Sequence, residues 1–536
     1  MAAKADTGPA AVAELRAGLA ERVGDDALIT AADELDFYAA DVYSRGERPL
    51  AVIAPADAAR LAAAVGYLTS NGIAVIPRGG GMSHTGGYLA TTPRSVVVDL
   101  RRMNRIVEIS EQDLFITVEP GVTWRDIHEA LTPLKLRLPF FGTFSGARAT
   151  VGGGMSNGAL FMATARYGTA AEIVLGLEVV IADGAVVATG QGAFHNGRPF
   201  YRTYGPDLTG LFVHDAGALG IKSRISMRLM RTPEHLDYAS FAFPGQDGAV
   251  AALSGIGRSD TAEEAYVFDP VTTRNSLGEA DLARDLRRLT GVVRSQGGLL
   301  KGLKAGARIA AGGRDFVDEG VYSLHLVFAG RSAAAVADDK RIATELAARH
   351  GGSAIADTIP RAARANPFEP LNGILGPDGR RWAALNAKVA HSDAPVLIQR
   401  TRAILGDYAG RMQQHGVEVS QLCIAISNHA FSYEPVLRWS DEWHPVHRRT
   451  PEPSHLKKLT EPPPDPAARA LVDEIRRRIV ELFAEFGAAS NQIGKTYRYA
   501  ESLRPETLKL ITALKAELDP RGLMNPGALG LPRPLS

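Results

Sequence analysis

Apolar positions along the chain follow two periods. Between residues 57 and 71, Leu61, Val65 and Leu68 recur at helical spacing and Gly72 closes the run, which predicts an amphipathic helix. Continuous apolar runs at 73–77, 95–100 and 114–118 predict buried strands. Glu119-Pro120-Gly121 reads as a turn, and 123–131 returns to helical spacing. A further strand is predicted at 175–182, closed by an Asp183-Gly184 turn. This alternation predicts layered helices and strands rather than a helical bundle. From about Thr232 to 460 the texture changes to Ala-, Arg- and Leu-rich helical segments mixed with short strands, the mark of a second domain. Pro462-Pro463-Pro464 is a stiff connection. Asp465 can then cap a helix with Pro466 at its first position, along a stripe of Leu471, Ile475, Ile479, Leu482, Phe483 and Phe486. A last helix is expected over 505–518, before a turn-rich 519–527.

Composition narrows the function classes. A chain of 536 residues has room for two or three domains, and 45% hydrophobic content is that of a globular protein. A net charge of +1 gives no electrostatic reason to expect nucleic acid as a partner. The start of the sequence lacks an apolar secretory core and no run reaches membrane-span length, so a cytoplasmic protein without an integral membrane segment is expected. Cys423 is the only cysteine, within an apolar strand-like run, which rules out an intrachain disulfide and predicts a buried thiol. His447-Arg448-Arg449 and His444 read as an exposed loop.

The candidate chemistry begins where the strand at 73–77 runs into Arg78-Gly79-Gly80-Gly81-Met82-Ser83-His84-Thr85-Gly86-Gly87. Successive amides on such a loop can face phosphate oxygens. Counted from Gly79, the last glycine of the dinucleotide fingerprint would fall on His84, so that motif is absent. A second glycine run is Val151-Gly152-Gly153-Gly154.

Taken together, several ordered segments resemble the FAD-linked oxidases of the vanillyl-alcohol oxidase / p-cresol methylhydroxylase (PCMH) type, with partial resemblance to FAD-linked D-lactate dehydrogenase and glycolate oxidase. They are the 77–87 loop, the 114–123 strand and turn, Gly152-Gly153-Gly154, Arg166-Tyr167-Gly168-Thr169, 176–184, 207–212, 217–221 and the 519–527 tail. The resemblance implies an α+β, two-domain PCMH-type FAD-binding fold with an α+β cap. It suggests an N-terminal helical segment at 1–44, an FAD-binding domain at 45–232, a cap over 233–480 and a returning segment at 481–536. It implies an FAD-dependent oxidoreductase. Cofactor contacts are expected from Pro77, Arg78, Gly79, Gly80, Gly81, Met82, Ser83, His84, Pro120, Thr150, Gly152, Gly153, Gly154, Asn157, Tyr167, Gly217, Gly220 and Ile221. Both glycine runs would wrap the pyrophosphate with backbone amides. Non-covalent FAD is expected, with His84 the nearest candidate for a covalent link.

The substrate reading divides. Tyr497-Arg498 resembles the pair that holds a phenolate in the phenol branch, and favours hydride removal from a small alcohol or para-substituted phenol. Thr85 replaces the third phenolate residue of that branch, and Thr169 stands where an aspartate is expected near the flavin. The alternative is a 2-hydroxy acid such as D-lactate or glycolate, its carboxylate clamped by Arg78, Lys495 or Arg498. The metal motif of that branch keeps only His429, and the later Gly-Glu-His-Gly-Ile-Gly is here Ala489-Ser490-Asn491-Gln492-Ile493-Gly494, so no metal is expected. His429 is the candidate base, Glu434, Asp441 and Glu442 could border the pocket, and residues 386–392 could line it. A third alternative is a non-catalytic flavin-binding subunit. Oxygen, a quinone or a cytochrome remain open as electron acceptor, and a homodimer is common in the family though no segment points to one.

Overall fold

The computed structural model describes residues 8–272 and 321–531. The first sheet has four strands, β1 (Leu28–Ile29), β2 (Ala51–Ile53), β3 (Ala74–Arg78) and β4 (Ser95–Asp99), in the order β1-β2-β4-β3. β2, β4 and β3 run parallel. The crossover between β2 and β3 is the helix Ala58–Ser70, capped by the Asp57 side chain and buried through Leu61, Val65 and Leu68. Helix Pro9–Val23 and this crossover cover one face of the sheet in a common core.

An antiparallel sheet follows, with β5 (Ile106–Ser110), β6 (Phe115–Val118), β8 (Val174–Val180), β9 (Val186–Ala188) and β10 (Ile221–Arg228) in the order β5-β6-β10-β8-β9. A two-residue ribbon pairs β7 (Leu136–Arg137) with β11 (Met230–Arg231). Thr123 and Asp126 form a reciprocal capping box at helix Trp124–Leu131, and Trp124 is fully buried beneath it. The second glycine run is not a loop. Thr150 caps it and Val151–Asn157 forms a short helix.

The cap is built on one antiparallel sheet: β12 (His235–Phe243), β13 (Glu264–Phe268), β14 (Tyr322–Gly330), β15 (Ser353–Ile355), β16 (Arg381–Ala384), β17 (Ala387–Val389), β18 (Glu418–Ile426) and β19 (Ala430–Trp439). Its order is β15-β12-β14-β13-β18-β19-β16, with β17 beside β19. Strands of nine and ten residues replace the short strands expected here. Part of the expected helical texture, residues 273–320, lies outside the described residues. Phe431, Tyr433, Leu437 and Trp439 point into a core shared with helix Pro466–Glu485. On the other face, Tyr266, Phe268, Ile424 and Ile426 join the core of the five-stranded sheet. This period-two split aims one face of the cap sheet at the glycine loop. Cys423 is buried in β18.

After helix Pro466–Glu485 and a final helix, Pro505–Leu518, the chain returns to the first sheet. Val75 N–H donates to Leu523 O at 2.8 Å, and Asn525 N–H donates to Val75 O at 2.9 Å. Among the described residues no helix is long and apolar enough to cross a membrane.

Candidate FAD site

β3 delivers the glycine loop to the junction of the first sheet, the short Val151–Asn157 helix and the C-terminal segment. The backbone N–H groups of Gly79, Gly80, Gly81, Met82 and Ser83 have no acceptor among the described residues. Five consecutive donors without a protein acceptor, three of them on the buried Gly80, Gly81 and Ser83, are what an anion-binding loop presents. Close packing fixes the loop. A Cβ on Gly80 would stand 2.1 Å from the Arg148 carbonyl oxygen, and one on Gly79 would stand 2.2 Å from Thr150 Oγ1. Gly81 has φ +70°.

The second glycine run plays a different part from the one expected. Gly152 N–H donates to Pro120 O, Gly153 N–H to Thr150 Oγ1 and Gly154 N–H to Thr150 O. These amides are spent inside the chain, so the run serves close approach: a Cβ on Gly152 would lie 2.6 Å from the Pro120 side chain. Asn157 Oδ1 accepts from Gly494 N–H at 3.2 Å, tying this helix to the C-terminal segment. Gly217 abuts the Pro77 ring, Gly220 abuts Val179, and Ile221 pairs with Val180 in the sheet. Tyr167 packs on the core of the five-stranded sheet beside the Arg137 guanidinium. Asn525 closes the assembly, donating its amide to the carbonyls of Gly87 and Ala216 at 2.7 and 2.5 Å.

Arg78 does not reach into this space. Its guanidinium lies 4.8 Å from the rings of Phe37, Tyr38 and Tyr88 and donates to the carbonyls of Phe37 and Tyr38. It braces the loop from below and is not a carboxylate clamp. His84 is buried against Trp382 of β16, with ring centroids 4.6 Å apart, and its Nδ1 has no partner. Burial pushes its imidazole down to about 3, with the Arg476 charge adding to the effect. His214 Nε2 is likewise buried and unpartnered, and its imidazole lies so close to Gly158 that a Cβ there would stand 2.3 Å from the ring. Free loop amides, unsatisfied buried ring nitrogens and glycines packed too tightly for a side chain fit a bound FAD.

Opposite the loop, the cap sheet presents a polar patch. Lys388 of β17 stands across from Ser432 of β19, and Glu434 follows two residues along on the same face. Asn386 Nδ2 donates to Ser432 Oγ at 2.8 Å and to Glu434 Oε2 at 3.4 Å. Glu434 has no cationic partner among the described residues, and burial, eased only by the Asn386 amide, pushes its carboxyl up to about 7. The Lys388 Nζ has no acceptor among the described residues, although its backbone N–H donates to Ala489 O at 2.7 Å, and burial brings its amine down to about 8, partly offset by Glu172. Sequence reasoning gave Glu434 and Lys388 only as pocket borders. Their strand alternation, polar residues interleaved with Phe431 and Tyr433, is the signal that singles them out.

The residues expected to act on substrate divide. Tyr497 is half-buried, and its hydroxyl oxygen accepts from Asn386 N–H at 2.7 Å, placing it behind the patch. Arg498 turns away to the surface, where it pairs with Glu481 at 3.2 Å and Glu501 at 3.7 Å. Tyr497 and Arg498 therefore do not form a joint anion site. Arg498→Ala should cost at most about 1 kcal/mol in a melting experiment, as an exposed pair does, and leave FAD occupancy unchanged. His429 is exposed on the turn between β18 and β19, five residues before Glu434 and off the strand that carries it. Thr169 N–H and Oγ1 both donate to Glu172 Oε2 at 2.6 Å, so the carboxylate beside Gly168 is Glu172, a residue the motif comparison missed. Lys495 Nζ is held by the Leu89 carbonyl. Asp441 is locked between Arg381 and Arg469, with Glu442 beside it on Arg469, in a network away from the patch. His444 and His447 are buried rather than exposed, with His444 Nδ1 3.1 Å from Asp41 O, while Arg448 and Arg449 of the same short helix, Pro445–Arg449, face solvent. No cluster of three metal-ligating side chains occurs among the described residues.

Comparison with known proteins agrees with this geometry. Residues 49–190 match the FAD binding domain family, and residues 464–529 match the C-terminal domain of FAD linked oxidases. The probable mitochondrial D-lactate dehydrogenase of Danio rerio is 37% identical over 177 residues, 33% of this chain and 34% of that protein. The glycolate oxidase subunit GlcD of Bacillus subtilis is 31% identical over 208 residues, 39% of this chain and 43% of that protein. The matched segments thus span less than half the length of these relatives. Among solved structures, substrate-bound p-cresol methylhydroxylase superposes with a TM-score of 0.69 at 19% identity, covering 98% of each chain. An alkyldihydroxyacetonephosphate synthase superposes with a TM-score of 0.65 at 14% identity, covering 98% of this chain and 86% of the other. These superpositions establish the two-domain α+β PCMH-type fold, and the FAD binding domain and FAD linked oxidase C-terminal domain matched in one sequence make this an FAD-linked oxidoreductase, with FAD as its cofactor.

Proposed function

We propose that the protein oxidises a small 2-hydroxy acid, with Glu434 as the base and Lys388 as the carboxylate anchor. The observation that carries this reading is the placement, on one face of the cap sheet, of a carboxylate with no cationic partner among the described residues and an amine that no acceptor holds, with only the charge of Glu172 acting on it. Bound FAD supplies the two-electron acceptor for a hydride. Glu434 takes the hydroxyl proton of the substrate as its carbon gives up that hydride, and the Asn386 amide orients the accepting carboxylate. Lys388 holds the substrate carboxylate, which restores the ammonium form that burial disfavours. Asn386 is itself fixed by Tyr497 and by Asn491 N–H, which donates to its Oδ1 at 3.2 Å, so Tyr497 acts as a positioning residue. The named relatives that act on D-lactate and glycolate favour the same substrate class. A para-substituted phenol loses its main support with Arg498 on the surface, although Tyr497 stays beside the patch.

The test compares a 2-hydroxy acid with its uncharged amide. The acid should have a far lower KM, and Lys388→Met should remove most of that advantage while the amide is little affected. Equal use of acid and amide by the unaltered protein would overturn the carboxylate anchor.

A further inference from the structure

Two guanidiniums press on the glycine loop, and neither has an ion pair among the described residues. Arg148 meets the loop at Gly80, where its Nε donates to the carbonyl oxygen at 2.9 Å. Its Nη1 reaches Thr450 Oγ1 at 3.4 Å, and its Nη2 reaches no acceptor among the described residues. Arg78 meets the loop one residue on. A Cβ on Gly81 would stand 2.7 Å from Arg78 Nη2, and that nitrogen is buried and unpartnered. The carboxylates around the loop are engaged elsewhere. Asp99, beside Arg78 in the sheet, is held by Arg101 and accepts from the Tyr38 hydroxyl. Asp41 accepts from the N–H groups of Tyr43, Ser44 and Gly86. Burial pushes the Arg148 guanidinium below its ordinary value, and the Arg101 and Arg78 charges push the same way, against Tyr88 and Asp99.

The Gly80 carbonyl that Arg148 holds shares a peptide group with the Gly81 N–H, one of the five free donors of the loop. In a trans peptide the two point opposite ways, so the guanidinium stands on the far side of the loop from an anion held by that amide. A cation on the carbonyl polarises the donor opposite it. We propose that Arg148 is a positioning residue for the FAD pyrophosphate, acting through the Gly80–Gly81 peptide: it strengthens the Gly81 N–H and, with Arg78, supplies the positive charge that the bound diphosphate neutralises. The role rests on the glycine loop being the FAD cradle and is independent of the substrate.

The test removes FAD from the unaltered, Arg148→Gln and Arg148→Lys proteins and titrates it back, reading the dissociation constant from flavin fluorescence and the melting temperature with and without FAD. Glutamine can still donate to the Gly80 carbonyl but carries no charge, whereas lysine keeps the charge. Arg148→Gln should weaken FAD binding by about tenfold or more, and Arg148→Lys by no more than about threefold. The Arg148→Gln apoprotein should melt no lower than the unaltered apoprotein, because a cation facing Arg78 and Arg101 has gone, while its gain in melting temperature on adding FAD should shrink. A part confined to bracing the loop would spare glutamine or lower the apoprotein's melting temperature. Equal FAD affinity in all three proteins, lysine as weak as glutamine, or an Arg148→Gln apoprotein that melts well below the unaltered one overturns the proposal. Flavin retained by Gly80→Ala would remove the cradle itself, whereas flavin lost there with full affinity in Arg148→Gln removes only the role of Arg148.

Discussion

Replacing Glu434 by glutamine should leave FAD bound and slow anaerobic flavin reduction by substrate by about 10²- to 10⁴-fold, the span a positioned general base contributes. Glutamine keeps the shape and the Asn386 contact but cannot accept a proton. In the unaltered protein the rate should rise with pH through about 7, because only the ionised carboxylate is a base and burial holds its titration there. Stability runs the other way. The carboxyl titrates higher in the folded chain than in the unfolded one, so the stability it contributes is complete below its unfolded value near 4.3 and is lost as pH rises through about 7. Glu434→Gln should therefore melt higher than the unaltered protein at pH 8 and equal to it at pH 4. A variant slowed without the change in pH profile would place the base elsewhere.

The second large effect is on the cofactor. Gly80→Ala places a methyl group 2.1 Å from the Arg148 carbonyl oxygen and 2.8 Å from its carbon, both backbone atoms that cannot rotate away. The loop must shift, and with it the five free amides that we assign to the FAD pyrophosphate. We expect purified Gly80→Ala to lack the visible flavin band even after incubation with FAD, and to lose about 1–3 kcal/mol of stability, the usual cost of overpacking. Gly410→Ala is the control: it lies in helix Ala409–Gln414 with nothing within 4 Å of the added carbon, and should bind FAD normally. Full flavin content in Gly80→Ala would show that the loop is not the cradle.

Much of the FAD-binding half is legible in the sequence because its determinants are local. Asp57 caps the crossover helix, Thr123 and Asp126 box the next one, and the glycines at 79–81 stand where the Thr150 and Arg78 side chains and the Arg148 backbone leave no room for a side chain. The second glycine run misleads because its residue types suit a loop, while Thr150 in front of it supplies the cap that starts a helix. The substrate side depends on contacts between distant residues. Arg498 follows Tyr497 directly, yet Glu481, on a different helix, draws it outward. His444 and His447 look polar in sequence but are covered by the segment that contains Asp41 and by each other. Glu434 and Lys388 become a pair only through the register of β17 on β19.

The most direct test of the account is anaerobic titration of the FAD-loaded protein with a short 2-hydroxy acid and, in a separate cuvette, with a para-hydroxybenzyl alcohol. The account predicts rapid bleaching of the flavin by the hydroxy acid and slow or no bleaching by the phenol. Bleaching by the phenol alone would contradict it, and would return the Tyr497 side of the patch to the centre of substrate binding.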